Sequence, residues 1–146
     1  MSAWIVPDGQ DVLTFRAFIY RITLPDGRFY VGKKNVYRCS GGKIVAESNW
    51  RDYWSSSKDV KALAYAAGYA LCRREILQLL ESTGKAGLAE TRWLLANDAM
   101  LDTQCLNGNI EGKYQRKVVQ GWSDDMRCER YMRDTTKQRI AAGLLA

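Results

Sequence analysis

Two strand-like runs joined by a stretch of strong turn chemistry constrain this chain more than any other feature. Phe15 to Thr23 is rich in aromatic and β-branched residues, and Phe29 to Gly32 resumes that character. Between them lies Leu24-Pro25-Asp26-Gly27-Arg28, with Pro at the second turn position and Gly at the last. A chain that reverses here lays the two runs side by side as an antiparallel hairpin. Tyr20 and Tyr30 then come from neighbouring strands, and both phenols can project from one small sheet. Lys33, Lys34 and Asn35 follow at once.

Downstream, Ser40-Gly41-Gly42 within Cys39 to Ala46 reads as an exposed loop. Trp50 to Ser57 is polar and aromatic, and Ser56 or Ser57 is a suitable N-cap for an alanine-rich helix over Lys58 to Ala67 that Gly68 stops. A strand is expected around Ala70 to Leu77. A second helix is expected over Lys85 to Leu101, its apolar side drawn from Leu88, Leu94 and Leu95. Asn107-Gly108-Asn109 marks a turn. This order predicts an α/β chain of the α+β type: a small mixed three-stranded sheet, hairpin first, flanked by helices. With 146 residues the chain is of single-domain size, divided here into a core over 1–114 and a basic C-terminal helical extension over 115–146.

Charge and composition narrow the chemistry. Twenty-two Lys and Arg stand against 16 acids, a net charge of +6, which suits a polyanion partner. There is no histidine, so Ser-His and Cys-His nucleophilic sites and His zinc ligands are excluded. The four cysteines, Cys39, Cys72, Cys105 and Cys128, form no C-x-x-C pair, which excludes a zinc ribbon. Met1 to Gln10 has no basic region of the signal-peptide kind, and no apolar run has the length of a membrane span. Reduced thiols, a cytoplasmic location and no membrane partner are therefore expected.

The hairpin carries two tripeptides in order, Phe18-Ile19-Tyr20 and Tyr30-Val31-Gly32, followed by Gly-Lys-Lys-Asn and later by Trp50-Arg51-Asp52-Tyr53-Trp54-Ser55-Ser56-Ser57. In these residues the chain resembles the GIY-YIG endonucleases, most closely the phage homing-endonuclease branch, over roughly Ala17 to Tyr114. The resemblance implies a DNA endonuclease that uses Mg²⁺ or Mn²⁺. It implies Tyr20 as the general base, Glu90 (with Trp93 three residues on) as the metal ligand, Lys33 or Lys34 near the phosphate, and Asn107 or Asn109 after the helix. The family's arginine falls on Arg38 or, farther away, Arg51. The pattern departs from the family where Phe18 replaces the first Gly and where Gly41-Gly42 interrupts the usual arginine-bearing helix.

Phosphodiester hydrolysis needs an attacking water, charge neutralisation on the phosphate and help for the leaving oxygen. One carboxylate can hold a Mg²⁺ ion that keeps most of its waters, and an arginine can brace transition-state charge. A free phenol has a pKa of about 10. Tyr20 therefore needs Lys33, Lys34 or the metal to favour its phenolate, and Tyr30 would position the water or the phosphate.

Lys113 to Arg139 has a net charge of +4, with Arg127, Arg130, Arg133 and Lys137 at helical spacing. Such a face can track a DNA backbone, or simply be solvated. About thirty residues after the core are too few for a large recognition domain, so sequence specificity must come from this segment, an inserted loop, a partner or oligomerisation, or be low.

Blander readings stand beside these. Tyr20 and Tyr30 are ordinary sheet residues by default, and Trp50, Tyr53 and Trp54 can be core packing. A non-catalytic DNA-binding or inhibitory module on the same scaffold is the main alternative. A PD-(D/E)-x-K nuclease fits the letters Pro25-Asp26 with Asp59-Val60-Lys61 or Glu111-Gly112-Lys113, but Pro25-Asp26 lies where the hairpin must turn.

Overall fold

The computed structural model describes residues 3–119 and Gly143. A two-residue strand, β1 (Trp4–Ile5), and a short 3-10 turn precede the hairpin of β2 (Ala17–Thr23) and β3 (Phe29–Asn35). The turn forms as its chemistry demands: the Gly27 amide donates to the Leu24 carbonyl at 2.9 Å, Gly27 has a φ of 92°, and Asp26 accepts from the Arg28 amide. A second hairpin follows directly, β4 (Tyr37–Ser40) with β5 (Lys43–Glu47). The stretch expected as a plain loop is thus a β-ribbon with Gly41 and Gly42 at its tip, both at positive φ as a tight two-residue turn requires.

Helix α1 (Lys58–Ala67) begins where the Ser57 hydroxyl accepts from the Val60 amide and ends at Gly68, whose φ is 91°. A 3-10 turn over Tyr69–Leu71 takes up the first residues expected as strand, and β6 (Arg73–Leu80) starts after it. Helix α2 (Thr83–Ala96) is capped by Ser82 and ends before Asp98, which sits at φ 48°. It is shorter at its end than the apolar pattern suggests, and Leu88 and Leu95 are exposed; only Leu94 of the three leucines is buried. A small hairpin of β7 (Asn109–Ile110) and β8 (Tyr114–Gln115) completes the described fold.

The main sheet has four strands in the order β1-β6-β2-β3, one more than expected, because β1 adds parallel to β6 at the far edge. β2 is central and antiparallel to both neighbours. Its first four residues, Ala17 to Tyr20, are all buried, which is why its sequence shows no polar alternation: both faces are covered. On one face Phe18, Tyr20 and Ile22 pack with Trp50, Trp54, Val60 and Ala64 of the α1 side. On the other, Ala17 and Ile19 meet Ala86, and Val31 meets Leu94 and Met100, on the α2 side. Full burial of side chains of this size contributes about 1.5–3 kcal/mol each. Among the described residues no helix is long and apolar enough to cross a membrane.

Candidate active site

The strand register decides where the chemistry-bearing residues go. Tyr20 lies opposite Gly32 and Ile22 opposite Tyr30, so both tyrosines stand on the α1 face, their ring centroids 6.3 Å apart. Lys34 pairs with Phe18 and shares that face, whereas Lys33 pairs with Ile19 and faces α2. The two adjacent lysines therefore serve opposite sides of β3, the outer strand.

Tyr20 is wholly buried. Its phenol lies flat against Gly32: a Cβ at that position would stand 2.4 Å from the hydroxyl and 2.7 Å from Cζ. That is the physical reason for the glycine of Tyr30-Val31-Gly32. Trp4, Phe18 and Tyr53 enclose the ring edge-on at 5.6, 6.2 and 5.8 Å. The Tyr20 hydroxyl makes no hydrogen bond of ordinary geometry, although the hydroxyls of Ser55 and Tyr53 stand close enough to act on it. Burial is the largest influence on its ionisation and raises its pKa strongly above the usual phenol value. Neither lysine is among the groups that act on it. Lys34 instead lays its ammonium over the Tyr53 ring at 4.2 Å and donates to Asn49 Oδ1 at 2.6 Å. Lys34 is thus engaged with Tyr53 and Asn49, and burial outweighs every other influence on the Tyr20 phenol.

Tyr30 is only half-buried. Burial raises its pKa, the Ser56 hydroxyl lowers it, and the Glu90 carboxylate raises it. Glu90 thus acts electrostatically on Tyr30 from the α2 side of the outer strand. Glu90 itself is pushed up to about 7, first by burial, against the pull of Lys33 and with a further push from Glu111. Lys33 reaches the helix because Gly87, one turn before Glu90, has no side chain: a Cβ there would lie 3.2 Å from Lys33 Nζ. The same ammonium stands 4.0 Å from Glu111, whose carboxylate accepts from Thr91 Oγ1 at 3.1 Å.

A loop that the sequence did not single out as part of the site supports the phenols. Ser55 is buried with φ at 94°, a rare conformation for a non-glycine residue, and its Oγ accepts from the Ser57 amide at 3.0 Å. Arg74 holds this loop. Its Nη1 donates to the carbonyls of Tyr53 (2.9 Å) and Arg51 (3.2 Å), and its guanidinium lies between the Trp4 and Trp54 rings at 4.7 and 4.3 Å. Nothing in the local sequence marks Arg74, because its partners are all far away along the chain. Ser55 and Ser56 had a signal in the serine triplet, which also serves as a helix cap.

The remaining expected residues fall elsewhere. Asn107 is buried and its amide is committed to the backbone: Oδ1 accepts from the Val31 amide at 2.9 Å and Nδ2 donates to the Val31 carbonyl at 2.7 Å. Asn109 accepts from Gly112 in the β7–β8 turn. Arg51 is bound to Glu47 at 2.7 Å and stacked on Trp50. Arg38, on β4, lines a groove of about 880 Å³ together with Arg16 and Lys34. Asp26 is tied to Arg28 in the hairpin turn, and Glu111 is engaged with Thr91 and Lys33 beside α2. Arg127, Arg130, Arg133 and Lys137 lie outside the described residues.

The fold and the order of these residues match a family model described as "Putative endonuclease segE, GIY-YIG domain", which covers residues 4–110. The chain belongs to the GIY-YIG family. No curated protein and no solved structure matches it. The match to the GIY-YIG domain runs from β1 to β7, so it includes the short edge strand that the motifs alone do not reveal. Membership supports a nuclease function with DNA as substrate.

Proposed function

We propose that this GIY-YIG domain is a divalent-metal-dependent DNA endonuclease of the phage homing type, with Tyr30, Lys33, Lys34 and Glu90 distributed about the outer strand β3 and Tyr20 buried behind it. The observation that carries this reading is the grouping around the outer strand: Lys33 reaches α2 beside Gly87 and stands 4.0 Å from Glu111, burial raises the carboxyl of Glu90, and Glu90 in turn raises the pKa of Tyr30.

Glu90, with Glu111 beside it, fits a hard cation such as Mg²⁺ or Mn²⁺. Both donors are carboxylate oxygens, and such ions bind through one or two carboxylates plus water and substrate phosphate. Among the described residues no cluster of three or more His, Cys, Asp or Glu competes for the metal. When bound, the cation supplies charge neutralisation at the phosphate and a downward pull on the Tyr30 pKa.

Every other role belongs to the chain. Tyr30, half-exposed, takes the position next to the attacking water and, once its own proton is lost to solvent, accepts the water's proton as the phenolate. Tyr20 remains a neutral phenol that fixes the Tyr30 ring and the Ser55 loop. The family resemblance implies Tyr20 as the base; this proposal prefers Tyr30 because it is the more exposed of the two phenols. Lys34 and Arg38 line the groove leading away from Lys33 and would contact phosphates. Arg38 is the better arginine than Arg51, since it makes no ion pair with any described residue while Arg51 is held by Glu47. Asn107 positions the Tyr30-Val31-Gly32 strand. Residues 115–146 are assigned, on charge alone, to the DNA backbone as an extension of the 1–114 core.

The test is cleavage of plasmid DNA in Mg²⁺ or Mn²⁺, compared with Glu90→Gln and Tyr30→Phe. Wild type should nick or cut, and both variants should lose at least about a hundredfold in rate while remaining folded. Glu90→Gln protein that cuts at the wild-type rate would refute the metal assignment. The buried, protonated Tyr20 favours one competing reading, a DNA-binding module without catalysis. Tight salt-dependent binding with no cleavage in either metal would establish it instead.

A further inference from the structure

Among the described residues the β4–β5 ribbon is not part of the main sheet and pairs only with itself. Two-stranded hairpins are marginal alone, and this one is fastened at its base. Ser48 donates from its amide to the Val36 carbonyl at 2.8 Å and from Oγ to the Asn35 carbonyl at 2.6 Å, and Tyr37 Oη donates to the Leu13 carbonyl at 2.5 Å. Beyond that base it faces solvent. Arg38 pairs with Ala46 and Cys39 with Ile44, so Val45 is the extra residue of a β-bulge. Bulges re-aim side chains, and here two neighbouring apolar ones are presented outward: Ile44 is 47% exposed and Val45 63%. No core and no other described element covers them. Lys43 flanks them at the tip, beside the open glycine turn, and Arg38 flanks them at the base.

Position gives the ribbon its meaning. β3 passes into β4 through Val36, so the strand that carries Tyr30, Lys33 and Lys34 continues directly into the ribbon. The groove between ribbon and the start of α2 is lined by Arg16, Lys34 and Arg38 against one acid, Glu81, a net positive wall suited to a phosphate backbone. A two-stranded ribbon is of the size the DNA major groove admits, and apolar side chains there contact the C5 methyl of thymine.

We propose that the β4–β5 hairpin is a DNA-reading ribbon. It enters the major groove next to the scissile phosphate, with Ile44 and Val45 against thymine methyl groups and Lys43 on a flanking phosphate. This deepens the endonuclease reading and rests on it. It would give the nuclease domain a sequence preference of its own.

Uracil differs from thymine only by that methyl group, which gives a direct test. One long duplex is amplified with thymine or with uracil throughout. Affinity for the protein is measured by competition in EDTA, and cut ends are mapped in Mn²⁺. Wild type should bind the thymine duplex about fourfold more tightly per methyl contact, and its cut ends should redistribute on uracil DNA. Ile44→Ser/Val45→Ser should bind and cut both duplexes alike. Lys43→Ala should weaken binding on every sequence and reduce the slope of log K against log salt by about one. Wild-type protein that treats the two duplexes alike, or a double variant that keeps the thymine preference, overturns the ribbon and leaves the endonuclease reading intact. Wild-type protein that neither binds nor cuts DNA overturns both.

Discussion

Gly32→Ala is the most informative single change in this domain, because the structure fixes its cost. The new methyl would sit 2.4 Å from the Tyr20 hydroxyl, 2.7 Å from Cζ and 3.0 Å from Tyr30 Cε1. Ordinary contact needs about 3.5 Å, so the Tyr20 ring would have to move by roughly 1 Å. It has nowhere to go, since Trp4, Phe18 and Tyr53 already touch its edges and the residue is fully buried. Overpacking of this kind costs about 1–3 kcal/mol, and the rigid surroundings place this case at the upper end. For a domain of this size that is a fall in Tm of roughly 6–12 °C. A displacement of about 1 Å at the phenols should also lower cleavage by about a hundredfold. Thermal and urea unfolding give the stability, and plasmid cleavage gives the rate. Adding Tyr20→Phe removes the nearest clash, so the double variant should recover part of the lost stability but not the hydroxyl. A Gly32→Ala protein within about 0.5 kcal/mol of wild type would show that the ring is free to move and that the enclosure argued here is wrong.

Two further substitutions probe the elements around the cleft. Asn107→Ala leaves the Val31 amide and carbonyl unpaired on a buried strand; we expect a loss of about 2–4 kcal/mol in urea unfolding and faster amide exchange at Val31, and unchanged exchange there would exclude the backbone role. For Glu90 the sign follows from a folded-state pKa raised from 4.5 to about 7. The ionised carboxylate opposes folding, a cost absent below about pH 4.5 and complete above about pH 7. After allowance for partial exposure, metal-free Glu90→Gln should therefore be more stable than wild type by about 1–2 kcal/mol at pH 8 and equal to it at pH 4; equal stability at pH 8 would contradict the raised value.

What the sequence revealed depended on how local the cause was. The Pro-Asp-Gly turn, the Ser57 cap and the Gly68 stop act within a few residues, and the hairpin and α1 lie where their letters put them. The placing of Tyr20 and Tyr30 on one face was legible because a hairpin register is short-range. The pKa of Tyr20 was not, since its enclosure depends on Trp4 and on the loop that carries Tyr53 and Ser55, two segments distant from it along the chain. Arg74 and Asn107 were opaque in the same way: each does its work on a carbonyl or strand more than twenty residues away. Arg116, which sequence reading counts with the basic extension, bonds the carbonyls of Asn107 and Met100 at 2.9 and 3.0 Å and so braces the loop that bears Asn107. Leu88 and Leu95 misled because periodicity marks an apolar side of a helix without saying whether anything covers it.

The carboxamide of Asn107 does one more thing for an outer strand. β3 ends the sheet, and the free edge of such a strand can template the addition of a strand from another molecule. By occupying both polar groups of Val31, the side chain imitates one residue of a fifth strand and blocks the middle of that edge. That edge therefore offers no free backbone group at Val31 for a strand from another molecule to pair with.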